Sequence, residues 1–429
     1  MWYESRVASI RRRLITGIFG LIIGSGALAV PGAAWSAEPA AAEAPASVSP
    51  VLRELIALAR QRAPEVSLGR AALGASRSSY SAASLAPVGN PSLEVKVDHG
   101  TQGVTKDVTI DASVWLPVEL AGEKQTRGRE ARDFVGLHEA LLEQARASAT
   151  GRTVRAYGGL AVAEARARVL TELLDVARAE ATHYSERLRA GDTTERDAAL
   201  ASLDAARNDA LLSEAQVDVL HYSGELAELT GRTLEAGTNL TEIPPAYASK
   251  RTNAQLAQSM PSARVLEAQA RYYASAGERL KREGYNPLAF GLTGGRGDFG
   301  EARFGGGIAY TWPLFRSNQP ERARAEAEKA RALEELNIRR DLVARRVGLL
   351  EQEIRGLHSA IAVVRTSALP AANRAVQAAL DTSRAGKGDW LTVLVSRREL
   401  SALWLRHLEL LDRTWLVLAE LVELTGELP

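Results

Sequence analysis

The groups able to do covalent or metal chemistry in this 429-residue chain are few, and they do not converge. Gly295-Arg296-Gly297-Asp298-Phe299-Gly300 has the G-x-G-x-x-G spacing whose backbone amides can cradle a pyrophosphate. That chemistry needs a helix to open at the turn, whereas the residues from Arg303 onward read as a glycine-rich strand. A turn between strands is the better account. His99, His138, His183, His221, His358 and His407 share no ligand spacing, so a metal centre is not indicated, and solvated helix faces account for His138 and His183. No serine or carboxylate set completes a triad around Asp98-His99. Cysteine is absent, which excludes disulfides, thiol nucleophiles and thiolate metal sites. The 53 Lys and Arg residues are balanced by 52 Asp and Glu, leaving no basic surplus for a nucleic-acid partner. No catalytic group, metal or cofactor is expected, and the chain does not read as an enzyme.

The informative feature is a change of period. Over Asn90–Pro117 the helical pattern gives way to alternation: Leu93, Val95 and Val97 against Glu94, Lys96 and Asp98, then Val108, Ile110, Ala112, Val114 and Leu116 against Asp107, Thr109, Asp111, Ser113 and Trp115. Such alternation sets one face of a strand in an apolar medium and the other in a polar one. The passage returns at Asn286-Pro287. Leu288, Phe290 and Leu292, then Phe304, Ile308, Tyr310, Trp312 and Leu314, alternate with small or polar residues up to and beyond Pro313. Strands are expected at about 92–98, 106–116, 288–295 and 303–314.

Elsewhere the sequence is Ala-, Glu-, Arg- and Leu-rich and reads as helix. Long helices are expected over about 121–190 and 316–385; seventy helical residues span about 105 Å, a coiled-coil length. Each long segment ends in the same signal, Arg189-Ala190-Gly191 and Arg384-Ala385-Gly386. Glu225-Leu226-Ala227-Glu228-Leu229-Thr230-Gly231 matches Glu420-Leu421-Val422-Glu423-Leu424-Thr425-Gly426. Gly191 and Gly231 stand 40 apart, as do Gly386 and Gly426. The chain is therefore a tandem duplication, with repeats over 50–245 and 246–429. Two shorter helices laid end to end would match one long helix in height.

Arg11, Arg12 and Arg13 precede the apolar run Leu14–Val30 and the small residues Ala34-Trp35-Ser36, the order of a secretory signal peptide over 1–36. Residues 37–49 form a flexible Ala/Pro/Glu leader. Beyond it no apolar run approaches the roughly 20 residues of a membrane helix. A membrane would be crossed by strands, with Phe290, Phe304, Tyr310, Trp312, Phe315 and Trp115 as interfacial aromatics. Four strands cannot close a barrel alone.

With signal peptide, tandem halves, hairpins and paired R-A-G…E-L-T-G helices in place, the chain resembles the TolC-type outer-membrane efflux channels. The resemblance implies a mainly α fold with a small β part. Three chains would build a 12-stranded transmembrane β-barrel in outer-membrane lipid, four strands each, continued by an α-barrel across the periplasm. It implies one efflux-channel domain overall, a homotrimer serving as passive exit duct for drugs or metal ions. Its partners would be a periplasmic adaptor and an inner-membrane transporter of the proton-driven resistance-nodulation-division type. Residues 295–300 would then be an extracellular turn. Arg189, Ala190, Gly191, Arg384, Ala385 and Gly386 would form the periplasmic tip that meets the adaptor, and Asp197, Asp389 and Thr392 would lie at the pore constriction. Pro370 interrupts the second long helix and is expected to bend it above the tip. A periplasmic adaptor would carry one helical hairpin between β-rich halves, and a soluble coiled-coil protein would need neither alternating aromatic strands nor a signal peptide.

Overall fold

A computed structural model describes residues 49–83, 88–102, 105–234, 240, 243–245, 252–296, 301–312, 315, 317–385 and 390–427. The expected signal peptide, and the leader apart from Ser49, lie outside the described residues. The first half runs α1 (Pro50–Arg62), α2 (Pro64–Ala83), β1 (Ser92–Gln102), β2 (Thr105–Val118), α3 (Glu123–Ala190) and α4 (Glu195–Thr230). The second runs α5 (Asn253–Ser259), α6 (Pro261–Glu283), β3 (Leu288–Arg296), β4 (Ala302–Ala309), α7 (Gln319–Val363), a π-helical turn (Val364–Ala368), α8 (Leu369–Arg384) and α9 (Trp390–Thr425). Pro50, Pro64 and Pro261 each open a helix, where the missing N–H costs nothing.

The long helices are joined in a row. α2 and α4 both pack along α3; α6 and α9 pack on α3 as well, and α7 packs on α6 and α9. The sheet keeps the same order, β1-β2-β3-β4, antiparallel throughout. Each strand is thus continuous in sequence with the helix at its own place in the row: α2 with β1, β2 with α3, α6 with β3, β4 with α7.

The core lies mid-way along α3, where Ala156, Tyr157 and Ala161 are wholly buried. Around them close Leu52, Leu55 and Ile56 of α1, Leu226 of α4, and Leu408, Leu411, Trp415, Leu418 and Val422 of α9. Two consecutive glycines admit the largest side chains. A Cβ on Gly158 would lie 2.2 Å from Cγ of Trp415, and one on Gly159 2.5 Å from Cε1 of Tyr222. Glycine inside a helix costs roughly 0.5–1 kcal/mol relative to alanine. The buried aromatic area offsets that cost, and the Trp415 ring meets Tyr157 edge-on at 5.6 Å.

Three element boundaries differ from the sequence expectation. The first hairpin is longer than 92–98 and 106–116, because ladder pairing continues to Gln102↔Thr105. β4 ends at Ala309 rather than near 314. There the Thr311 carbonyl accepts from Nδ2 of Asn286 at 2.7 Å instead of a strand partner, and Pro313 has no N–H to give. The second long helix starts at Gln319, after Asn318 in the left-handed conformation (φ 58°), and is not continuous to 385.

Gly158→Val would drive a branched side chain into the Trp415 ring. It should destabilise the fold by about 1–3 kcal/mol or more, read as a lowered thermal midpoint, whereas Gly128→Ala, with open space around it, should not.

Candidate functional site

The register sorts the sheet into two chemically distinct faces. On one, the rows run Leu116–Phe290–Ile308, Leu93–Val114–Leu292, Val95–Ala112–Gly294–Phe304 and Val97–Ile110–Arg296–Ala302. This face is bare: Phe304 is 88% exposed, Leu292 74% and Val97 62%. A contiguous apolar face of that extent marks contact with another molecule or with lipid. The other face carries Glu94, Lys96, Asp98, Thr109, Asp111, Ser113, Thr293 and Arg303. Lys96 pairs with Glu94 at 3.5 Å and Arg303 with Glu301 at 2.8 Å.

Glycines on β3 and β4 make room on this polar face for side chains from β2. The Asp111 carboxylate lies against Gly295, where a Cβ would come within 1.8 Å of Oδ1. Trp115, expected among the interfacial aromatics, lies on the polar face instead. Its ring covers Gly291 and Gly307, its Nε1 donates to Ser113 Oγ at 3.1 Å, and a Cβ on Gly291 would be 2.5 Å away. The period-two rule places Trp115 there; aromatic content alone suggested the other face.

Among the described residues β1 and β4 each have one strand neighbour, so the sheet has two open edges. The helical row also ends openly. Leu203, Val217 and Leu220 on α4, and Leu333, Ile338, Leu342 and Leu349 on α7, are exposed apolar side chains at its two sides.

At the far end, α3 stops at Arg189-Ala190 with Gly191 in the left-handed conformation (φ 79°). The Asp192 N–H donates to Arg187 O at 2.8 Å, a terminus that only glycine enters without strain. Thr194 caps α4: its hydroxyl accepts from the Asp197 N–H at 3.2 Å and donates to Asp197 Oδ2 at 2.7 Å. That bond, then nearby Arg196, holds the Asp197 carboxyl below its ordinary pKa. Asp197 is therefore engaged in a helix cap. In the second half Arg384 closes α8 and the Ala385 N–H donates to Asp381 O at 3.0 Å. Gly386 and Asp389 lie outside the described residues, and Thr392 is exposed in the first turn of α9.

Trp390 packs on Tyr184 of α3 with ring centroids 4.3 Å apart, and the Arg187 guanidinium lies 5.7 Å above the same tyrosine. Seven residues further, Arg397 pairs with Glu180 of α3, and Arg398 Nε donates to Asp204 Oδ1 of α4 at 2.8 Å. Burial pushes the Arg397 pKa down. Higher still, Pro370 sits in the first turn of α8, directly after the π-helical turn, where the Leu369 N–H reaches back to Val364 O. A proline has no N–H for the α ladder, and the widened turn accommodates the break. Leu369 and Val376 then pack on Leu400, Leu403 and Trp404 of α9. His407, near this turn, is held below its ordinary pKa by burial and by Arg365.

No protein-family model matches the chain. The chain is 25% identical over 331 residues to the cobalt-zinc-cadmium resistance protein CzcC of Cupriavidus metallidurans, covering 76% of this chain and 78% of that protein. It superposes on the outer-membrane channel OprN with a TM-score of 0.73 at 19% identity, covering 88% of this chain and 91% of that one. The chain has the TolC-type channel fold. The outer membrane protein VceC of Vibrio cholerae gives a TM-score of 0.69 at 18% identity, over 88% of this chain and 97% of that one.

Within this TolC-type fold, the strand faces and the turn after α3 follow from local sequence, and the ties between the two halves do not. Arg397 and Arg398 were visible only as an adjacent basic pair in an apolar helix. Their partners lie 217 and 194 residues away, beyond the reach of any local pattern. His138, expected on a solvated face, meets Phe134 edge-on at 4.5 Å.

Arg397→Met would leave the half-buried Glu180 without its cation. A loss of about 1–3 kcal/mol in unfolding free energy is expected, with partial recovery in the Arg397→Met/Glu180→Gln double variant, resolved by a double-mutant cycle in denaturant.

Proposed function

We propose that three copies of this chain form the outer-membrane exit duct of a tripartite efflux pump. The observation that carries this reading is one sheet with a bare apolar face, a polar opposite face and two open edges. In lipid every backbone N–H and C=O must be paired, so open edges have to meet. A four-stranded wall from each of three copies gives twelve strands, an even number in the bacterial range. The β4 edge of one copy joins the β1 edge of the next, and the exposed rows on α7 and α4 meet below. The apolar face turns to lipid and the polar face lines a water-filled lumen. No described helix is long and apolar enough to cross a membrane, so the strands carry the crossing.

In this reading the tips at Arg189-Ala190-Gly191 and Arg384-Ala385-Gly386 dock a periplasmic adaptor, which links the duct to an inner-membrane transporter of the resistance-nodulation-division type. Asp197, Asp389 and Thr392 lie around the constriction. Pro370 and the π-helical turn form a bend about four helical turns from the tip, about which the tip closes. The cargo is drugs or metal ions. The similarity to a cobalt-zinc-cadmium resistance protein favours divalent metal ions as the first class to test.

Three measurements bear on the reading. Val114→Arg puts a charge on the lipid face two rows below Arg296, which costs about 2–4 kcal/mol near the bilayer midplane. It should abolish the heat-modifiable trimer in outer-membrane fractions, while Asp111→Asn should assemble and alter conductance only; equal tolerance of both would remove the barrel. Pro370→Ala should straighten the α7–α8 segment and change single-channel closure, and unchanged conductance with an unchanged closed structure would remove the bend. Deleting the gene should sensitise the cell to zinc, cobalt or cadmium, and sensitivity confined to organic drugs would reassign the cargo.

A further inference from the structure

Glu94, Lys96, Asp98, Asp111 and Arg303 stand on the polar face of the sheet, whereas Arg296 stands on the apolar one. Arg296 is exposed, lies in the row Val97–Ile110–Arg296–Ala302, and has no carboxylate partner among the described residues. Its place along the strands matters. β3 ends at Arg296, at the hairpin end of the sheet, opposite the end where the strands pass into the long helices. At that other end Tyr310 and Trp312 meet edge-on at 5.4 Å, and Trp312 is 73% exposed. Ala302, the partner of Arg296, precedes Trp312 by ten residues. Ten residues of extended chain span up to about 34 Å, or about 26 Å along the membrane normal at a strand tilt near 40°. The apolar band of an outer-membrane barrel is about 25 Å tall. With the aromatic pair at the periplasmic boundary, Arg296 falls at the opposite boundary, facing outward.

A guanidinium at the midplane would be expensive, but near the interface the cost falls to about 0–1 kcal/mol. There its planar fork suits a phosphate, which it binds in a bidentate, charge-assisted way. We infer that Arg296 is a lipid-binding residue that grips a phosphate group of an outer-leaflet lipid, one per chain and three around a closed barrel. This rests on the exit-duct reading, since it needs the apolar face to be the lipid face. A phosphate held at this height would fix the barrel's depth in the membrane.

The test uses purified wild-type protein, Arg296→Gln and Arg296→Lys in phosphatidylethanolamine vesicles, with added lipopolysaccharide, enzymatically dephosphorylated lipopolysaccharide, or inorganic phosphate. Lipopolysaccharide should bind the wild-type trimer about tenfold more tightly than its dephosphorylated form, the ratio worth one charge-assisted hydrogen bond. Native mass spectrometry of retained lipid reads that ratio. Arg296→Gln should lose the preference and Arg296→Lys keep part of it, with trimer yield unchanged in both. An undiminished preference in Arg296→Gln overturns the assignment. So does inorganic phosphate competing at equal concentration, which would make this a free-anion site. Wild-type protein that fails to insert into any vesicle overturns the exit-duct reading itself, whereas insertion without lipopolysaccharide preference overturns only the role of Arg296.

Discussion

Unpaired backbone polar groups are what the architecture has to manage. A strand edge in hydrocarbon leaves a row of N–H and C=O groups with no water to bind. Among the described residues this chain has two open strand edges, on β1 and β4, at the borders of one four-stranded sheet. The sheet cannot close on itself, and the helices do not cover its apolar side, where Leu93, Leu292 and Phe304 remain bare. The helical row is arranged around the same constraint. Because each strand is continuous with its own helix, the order of the sheet and the order of the helical row are set together.

Local period and turn chemistry made much of this legible in the sequence. Alternation along Leu93–Val97 and Val108–Leu116 gave the two faces of the first hairpin, because side chains on a strand have no third direction to take. The glycine at 191, followed by Asp and Thr, gave the reversal between α3 and α4, because a left-handed terminus and an N-cap are read from a few adjacent residues.

What stayed hidden depends on neighbours remote in the chain. Gly291 and Gly307 read in the sequence only as small members of alternating strands and Gly295 as the start of a turn, and only the register reveals Trp115 and Asp111 lying over them. Pro370 announced a break, but not its form as a π-helical turn, since proline specifies a missing donor and leaves the rest to packing against α9.

The seating of Trp415 over Gly158 has a further bearing on how the molecule is made. The socket belongs to the first half of the chain and its occupant to the last helix, so the central packing is completed only when the final residues have arrived. Contacts so distant in sequence form slowly, because a long loop must close before they repay it. Until α9 is made, the socket at Gly158 has no occupant.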